Sequence, residues 1–185
     1  QLQEIMRELK EQEAQMMFEK LSKYIGSNTE RLLTRTDGNF VFRVIKNRVY
    51  YMSEQIAKTC PTCEQKMLVG AGVLVGKITH NQHFHINVTS LPLLEQFALH
   101  KIWLTKSGEQ TFLYGNDIVR SHIAKMSDGI PDNAGVVIFN DQDGAIGFGV
   151  MTKAGVDALR SEFGAKIVIH QADVAEYLRN QDTMF

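Results

Sequence analysis

The segment 101–123 constrains the fold most, because its residues specify a definite succession of local structures. Residues 101–105 alternate polar and apolar side chains as a half-buried strand does, and the pair Ser107-Gly108 supplies a turn. Gly115 can adopt a positive φ without a steric clash, and Asn116 is a preferred helix N-cap. We therefore expect a strand, a turn, and a short helix that begins at Asn116 and ends near the end of the segment.

The remainder of the second half reads as short strands joined by turns. Residues 135–139 and 145–151 flank a polar turn at 140–144, which predicts a β-hairpin. Gly147 and Gly149 lie on the second of these strands, where another backbone must approach closely. Many short strands with few helices favour a small barrel, which removes exposed sheet edges by closing on itself.

The end of this half carries one more strand and a helix start. Residues 165–171 predict a buried strand, and Asp173 followed by Glu176 resembles a capping box that opens a terminal helix.

The first half predicts a mixed α/β domain. Apolar residues recur at helical spacing over 14–25, and Gly26 stands where the helix should end. Residues 40–44 and 48–52 predict a hairpin around a Lys46-Asn47 turn, followed by a helix over 53–58. A strand over 83–89 and a helix opened by Ser90 then lead to a domain boundary near residue 97.

Several motifs of the chain resemble a known family. FLYGN with its V-x-x-S-H-I continuation, AGVVIF, IGFGV and IVIHQADVAEYLR look like a PUA domain, the small β-barrel named from pseudouridine synthases and archaeosine transglycosylases. MFEKLSKYIG, FRVIKNRVYYMSEQI and GKITHNQHFHINVTSL resemble the N-terminal half of the "nuclear import protein seven" type of PUA protein. The motifs occur in the family's order from Met6 onward.

This resemblance implies the fold class α+β, with an N-terminal α/β domain that contains an antiparallel sheet and a C-terminal PUA-type β-barrel. The expected domains are 6–97 and 98–179, and residues 1–5 are expected to be an extension or an expression remnant. The implied function is a non-enzymatic, RNA-binding assembly factor of the large (60S) ribosomal subunit that acts in precursor rRNA processing. Expected partners are precursor rRNA, the pre-ribosomal particle and other assembly factors, without a cofactor, a metal or a membrane. A monomer is expected, in the nucleus and nucleolus and also in the cytoplasm.

The resemblance also places the RNA-binding residues in the second domain. Lys153 matches the family's lysine just after the GFGV strand, and basic residues continue that edge. The candidate RNA-binding residues are Lys153, Arg160, Lys166, Arg120, Lys125, His170 and Gln171.

The distribution of charge does not favour RNA binding by the whole second domain. Residues 6–97 contain 12 Lys and Arg against 9 Asp and Glu, a balance of +3, whereas residues 98–178 contain 7 against 10, a balance of −3. Because nonspecific affinity comes from neutralised phosphates, any RNA contact there must use a local basic face.

Two motifs suggest other chemistry. Cys60 and Cys63 form a CxxC pair, but its spacing to the histidines at 80 and 83 does not match the common zinc-finger pattern. The segment before the pair is predicted to be a helix, whereas a redox CxxC pair typically follows a strand. A zinc or thiol protein stays open as an alternative. The glycine-rich stretch 70–77 lacks both the GxGxxG spacing and a P-loop Lys-Ser/Thr pair, so close strand packing is the better interpretation.

Catalysis finds no motif in the chain: there is no G-x-S-x-G and no HExxH. The remaining alternative is a protein-interaction adaptor with little RNA affinity of its own, which the acidic balance of the second half favours. Two cysteines and the lack of a long apolar run indicate a soluble intracellular protein.

Overall fold

The computed structural model describes residues 6–59 and 71–180, so Cys60, Cys63 and Gly70 lie outside the described residues. The chain divides into two compact units between Ser90 and Leu91. The division falls ahead of helix α4 (Leu91–Phe97), which packs on a strand of the second unit. Within the described ranges, no helix is long and apolar enough to span a membrane.

The first unit is an antiparallel sheet with helices beside it. Its strands are β1 (Thr34–Arg35), β2 (Gly38–Ile45), β3 (Arg48–Ser53), β4 (Val73–Ile78) and β5 (Phe84–Ile86), hydrogen-bonded in that order. Its helices are α1 (Glu11–Ile25), α2 (Thr29–Leu33) and α3 (Glu54–Thr59). Helix α1 begins where the carboxylate of Glu13 accepts the backbone N–H of Lys10, at 2.9 Å, and it buries Met17, Leu21 and Tyr24.

Two turns of this unit follow the sequence expectations closely. Lys46 and Asn47 both have positive φ, 47° and 67°, as a two-residue hairpin turn that matches strand twist requires. The predicted hairpin of β2 and β3 is therefore confirmed. Gly76 lies so close to β5 that a Cβ would clash with the carbonyl of His85 and come within 2.6 Å of the Phe84 ring. Close strand packing thus accounts for this glycine.

The predicted strand over 83–89 is shorter than expected. Strand β5 ends at Ile86, and a 3-10 turn occupies Val88–Ser90. The backbone N–H of Asn87 donates to Val75 at 2.8 Å, which holds the start of this turn on β4.

The second unit is a six-stranded sheet that curls into a nearly closed barrel. Its strands are β6 (Lys101–Leu104), β7 (Ile118–Val119), β8 (Ile123–Met126), β9 (Gly135–Phe139), β10 (Ala145–Met151) and β11 (Lys166–Asp173), and its helices after α4 are α5 (Lys106–Leu113), α6 (Gly155–Arg160) and α7 (Glu176–Arg179). The order is β7-β11-β10-β9-β6-β8, with only β6 and β9 parallel among the paired strands. The two edge strands β7 and β8 are joined by the three-residue turn Arg120–His122, so the sheet must bend round on itself.

The helix predicted to begin at Asn116 is wrong, because the helix precedes this residue. Thr105 caps α5 by accepting the N–H of Gly108 at 3.2 Å, so the expected Ser107-Gly108 turn lies inside the helix. Gly115, with φ 85°, ends the helix, and the N–H of Asn116 donates back to Thr111. The chain then enters β7, which pairs with β11.

The hairpin of β9 and β10 and the strand β11 are confirmed. The capping box predicted at Asp173 is wrong: Glu176 accepts the N–H of Asp173 at 3.2 Å, but Asp173 accepts that of Ala175 at 2.8 Å, and α7 begins only at Glu176 with Ala175 as its N-cap. Trp103 is half-buried, as a residue on the first strand of the barrel should be, and stacks on Phe139 with ring centroids 5.5 Å apart.

Strand β10 approaches its neighbours closely at its glycines. A Cβ on Gly147 would clash with the carbonyl oxygen of Ala172 and lie 2.7 Å from the ring of Phe112, which is fully buried. Phe148 between the two glycines is also buried. The glycines therefore allow β11 to pair with β10 at this point.

We expect Gly147→Ala to destabilise the protein by about 3 kcal/mol, because neither the backbone of β11 nor the buried ring can move aside cheaply. Urea unfolding would measure the change. The matched control is Gly164→Ala, where a Cβ meets no atom within 4 Å and φ is not positive. Equal stability of the two variants would contradict the close approach.

Candidate nucleic-acid interface

One surface of the second unit gathers four of the seven candidate residues. Lys153 follows β10, Arg160 is the last residue of α6, Lys166 is the first of β11, and Arg120 opens the turn between β7 and β8. We call this surface, with the exposed Phe163 in the loop after α6, the α6 face.

Backbone hydrogen bonds hold the turn of Arg120 against the loop after α6. The N–H of Arg120 donates to Ala165 at 2.9 Å, and the N–H of Ser121 donates to Phe163 at 3.0 Å. The Nε of Arg120 also reaches the carbonyl of Leu159, at 3.5 Å, beside Arg160. Arg120 and Arg160 are therefore neighbours although forty residues separate them in sequence.

Lys153 joins the same surface through the end of α6. Its Nζ donates to the hydroxyl of Ser161 at 3.1 Å, and that hydroxyl donates to the carbonyl of Asp157 at 2.8 Å. Lys153 is half-buried as a residue, and its ammonium group is bonded to a neutral partner, so its positive charge is not cancelled there. Arg160 is exposed.

Lys166 forms an ion pair. Its Nζ lies 2.9 Å from the carboxylate of Asp117, which also accepts the backbone N–H of His170 at 2.9 Å. The pKa of Asp117 is lowered, first by that backbone hydrogen bond and then by the Lys166 ammonium. Lys166 thus contributes less free positive charge to the α6 face than Lys153 or Arg160.

Apolar side chains lie among these cations, and sequence reasoning missed them. Val156 and Leu159 on α6 and Phe163 after it are 56%, 53% and 76% exposed. Their spacing of three and four residues was the available signal, but in a sequence it is equally typical of a buried helix face. An exposed aromatic ring surrounded by cations can stack on a nucleic-acid base.

Lys125 belongs to a different group of contacts. It lies on β8, and its Nζ is 4.7 Å from the centroid of the Trp103 ring. The indole N–H of Trp103 donates to Asp143 at 2.6 Å. The Lys125 ammonium therefore lies over an aromatic ring. Its strand, β8, is the edge strand opposite β7 in the sheet order.

His170 and Gln171 lie near the end of β11 beside a buried carboxylate. The His170 side chain is only 13% exposed, with its Nε2 2.6 Å from Asp173 and its ring 4.8 Å from Phe112. Gln171 is exposed and its amide donates to the carbonyl of His170 at 3.2 Å. The histidine ring is thus largely withdrawn from solvent, and a role of either residue in RNA binding stays a prediction.

The carboxylate of Asp173 is fully buried and binds two cationic or polar side chains. One of its oxygens lies 2.6 Å from both His170 Nε2 and Arg179 Nη2. Together with Glu176, whose pKa burial raises, these groups have the composition of a metal site, since His170, Asp173 and Glu176 place their ligand atoms within 4.8 Å of one another. The guanidinium of Arg179 already supplies the positive charge there, so the cluster is a hydrogen-bonded network that anchors α7.

Comparison with known proteins decides the family. The NIP7/UPF0113 pre-PUA domain matches residues 6–88, and the UPF0113 PUA domain matches residues 100–182. The chain belongs to the NIP7/UPF0113 family.

Relatives in this family cover the chain almost end to end. The 60S ribosome subunit biogenesis proteins nip7 of Schizosaccharomyces pombe and NIP7 of Saccharomyces cerevisiae are each 40% identical over 180 residues, 97% of this chain and 100% and 99% of theirs. The NIP7 homolog of Xenopus laevis is 41% identical over 179 residues, 97% of this chain and 99% of its own.

Solved structures agree with the NIP7/UPF0113 fold. A PUA-domain protein from Aeropyrum pernix K1 superposes with a TM-score of 0.59 at 10% identity, covering 94% of this chain and 88% of its own. A conserved PUA-domain protein from Thermoplasma acidophilum gives 0.55 at 13%, covering 95% and 98%. These likenesses confirm the PUA-type fold expected from the sequence motifs.

The ion pair at Asp117 predicts a pH-dependent contribution to stability. Because folding lowers the pKa of this carboxyl, its ionised form stabilises the protein above about pH 4, and the contribution is lost as the pH falls through the lower folded-state value. Asp117→Asn keeps an oxygen acceptor for the His170 N–H but removes the charge. We expect a loss of about 0.5 to 1 kcal/mol at pH 7 that shrinks toward zero near pH 2.

Urea unfolding of parent and variant across this pH range would measure the difference. Asp132→Asn, at an exposed position, is the control and should change stability by less than about 0.5 kcal/mol. A loss of stability for Asp117→Asn that is the same at both ends of the range would show that charge plays no part.

Proposed function

We propose that the protein is a non-enzymatic, RNA-binding assembly factor of the large (60S) ribosomal subunit that acts in precursor rRNA processing. Membership of the NIP7/UPF0113 family supports this function, since relatives that match 97% of the chain are named 60S ribosome subunit biogenesis proteins. Its partners are then precursor rRNA, the pre-ribosomal particle and other assembly factors, and its place of action is the nucleus and nucleolus.

The observation that carries RNA binding is the convergence of cations on the α6 face, where the loop after α6 also exposes the aromatic ring of Phe163. Residues 98–178 have a net charge of −3, yet Arg120, Lys153 and Arg160 come together from three separate segments of the chain. Phosphates bind to local cations irrespective of the charge of the rest of the domain, and a base can stack on Phe163 between them. This combination favours single-stranded RNA, whose bases are free to leave a stack.

The first test removes charge from the α6 face. Three phosphate contacts on the α6 face, at Arg120, Lys153 and Arg160, would contribute about −2 to the slope of log K against log salt with single-stranded RNA. Changing both Lys153 and Arg160 to Ala should flatten the slope by about 1.4, so that between about 50 and 200 mM salt the parent loses about sevenfold more affinity than the variant. A fluorescence titration with precursor rRNA fragments measures both slopes.

The control for this test is the pair Lys20→Ala and Lys23→Ala on α1, both exposed, which removes the same charge from the first unit. If the Lys153 and Arg160 variant binds RNA with the same affinity as this control at every salt concentration, the α6 face does not bind RNA. The protein-interaction adaptor would then be preferred.

The second test separates stacking from charge. Phe163→Ala should weaken binding of single-stranded RNA by about 1 to 3 kcal/mol, because it removes one stacking platform, and should leave the salt slope unchanged. Phe163→Tyr keeps a ring and should bind as the parent does. The ring is 76% exposed, so neither change should unfold the protein. Equal affinities of the Ala and Tyr variants would exclude stacking.

A further inference from the structure

A second basic surface lies in the first unit, where two hairpin turns meet. The turn between β2 and β3 and the end of β4 enclose a cleft of about 300 Å³. The turns touch through the backbone N–H of Ile78, which donates to Asn47 at 2.8 Å. We call this cleft the basic groove; it is lined by Lys46, Asn47, Arg48, Lys77, Ile78, Thr79 and His80.

Strand register places basic side chains side by side at the groove. Arg48 on β3 lies directly opposite Lys77 on β4, and Lys77 lies opposite His85 on β5. Directly opposed residues share a face of the sheet, and neighbouring strands are about 4.8 Å apart.

The segments that form the groove contain no acidic residue. Neither 38–53 nor 71–94, the segments that build both hairpins, contains an Asp or Glu. The carboxylates of Glu8, Glu13, Asp37 and Glu54 instead pair with Arg43, Arg7, Arg35 and Lys58, at 3.1, 2.7, 2.8 and 2.9 Å. All of these pairs involve residues outside the groove lining, so the positive charge of Lys46 and Lys77 meets no carboxylate among the residues that line it.

We propose that the basic groove is a second RNA-binding site, which holds the phosphate backbone independently of the α6 face. Lys46 and Lys77 supply positive charge from the two sides of the cleft, and Thr79 and Asn47 add neutral hydrogen-bonding groups. The site rests on the proposed RNA-binding function and assigns part of that binding to the first unit.

The lining favours phosphate over base recognition. It contains no Phe, Tyr or Trp side chain, in contrast to the α6 face with Phe163, and its single ring is the imidazole of His80. Cations without a stacking platform bind nucleic acid through counterion release, and that binding is insensitive to sequence. The groove should therefore add affinity and salt dependence while leaving any sequence preference unchanged.

The test changes Lys46 and Lys77 together to Gln in the full chain. Arg48 is left in place, because it makes a further interaction. With a mixed-sequence single-stranded RNA, the variant's salt slope should be flatter by about 1.4, so that the parent loses about sevenfold more affinity than the variant between about 50 and 200 mM salt. Combining the change with Lys153→Ala and Arg160→Ala should flatten the slope by about twice as much, because the phosphate contacts that one RNA makes add in the slope.

Two controls accompany this variant. Lys20→Gln with Lys23→Gln removes equal charge from exposed positions outside the groove and should leave the slope as in the parent. Lys46→Arg with Lys77→Arg keeps the charge and should retain the parent's slope. A thermal melt of each variant checks that it is folded. If the Gln variant unfolds, the Arg variant still tests the proposal: loss of RNA affinity by a well-folded Arg variant would overturn a purely electrostatic phosphate site.

The outcomes separate this inference from the proposed function. If the Gln variant keeps the parent's slope while the Lys153 and Arg160 variant does not, the protein binds RNA but the basic groove is not a site. If both variants keep it, RNA binding through either surface fails. If an acidic peptide binds the parent but not the Gln variant, while both bind RNA with the same affinity, the groove binds an acidic protein segment and the proposal is overturned.

Discussion

The close approach of β10 to β11 is the constraint on which the second unit depends. β10 pairs with β9 on one side and with β11 on the other, and a bulge in each pairing accommodates its two glycines. Phe148 between them is buried. Because the two strands are fixed against each other, Lys153 after β10 and Lys166 at the start of β11 emerge at the same end of the barrel. Their position follows from backbone packing.

Local hydrogen bonds then convert this end of the barrel into a basic surface. Thr152 bonds across to the carbonyls of Lys166 and Ile167, and Lys153 bonds to Ser161, so the short helix α6 is held over the strand ends. The turn that contains Arg120 is hydrogen-bonded to the loop after α6. An acidic domain thereby brings Arg120, Lys153 and Arg160 together on one face, although its net charge is negative. Asp117 pairs with Lys166, and Asp173 is buried against Arg179.

The two proposed surfaces differ in chemistry in a way that suits different parts of one RNA. The α6 face offers cations around an exposed ring, which suits an unpaired base and its flanking phosphates. The basic groove offers cations and neutral hydrogen-bonding groups, which suit the backbone alone. Each surface taken singly provides few phosphate contacts, so modest affinity is expected of each. One RNA that reached both would bind more tightly than either surface allows, through effective concentration.

The sequence by itself determined most elements, the family and the places where backbones approach. The Lys46-Asn47 turn and the β9–β10 hairpin are local: each depends on residues a few positions apart, whose conformational preferences are intrinsic. The helix expected after Gly115 does not form, for one local and one long-range reason. Thr105 and Gly115 cap a helix between them, and pairing of β7 with β11 claims the residues that Asn116 would have capped. Tertiary structure alone decided that Arg120 reaches the carbonyl of Leu159 beside Arg160, that Lys166 is paired with Asp117, and that Phe163 is exposed to solvent. These are contacts or exposures set by segments distant in sequence, and side-chain pairing at such range has no local pattern to reveal it.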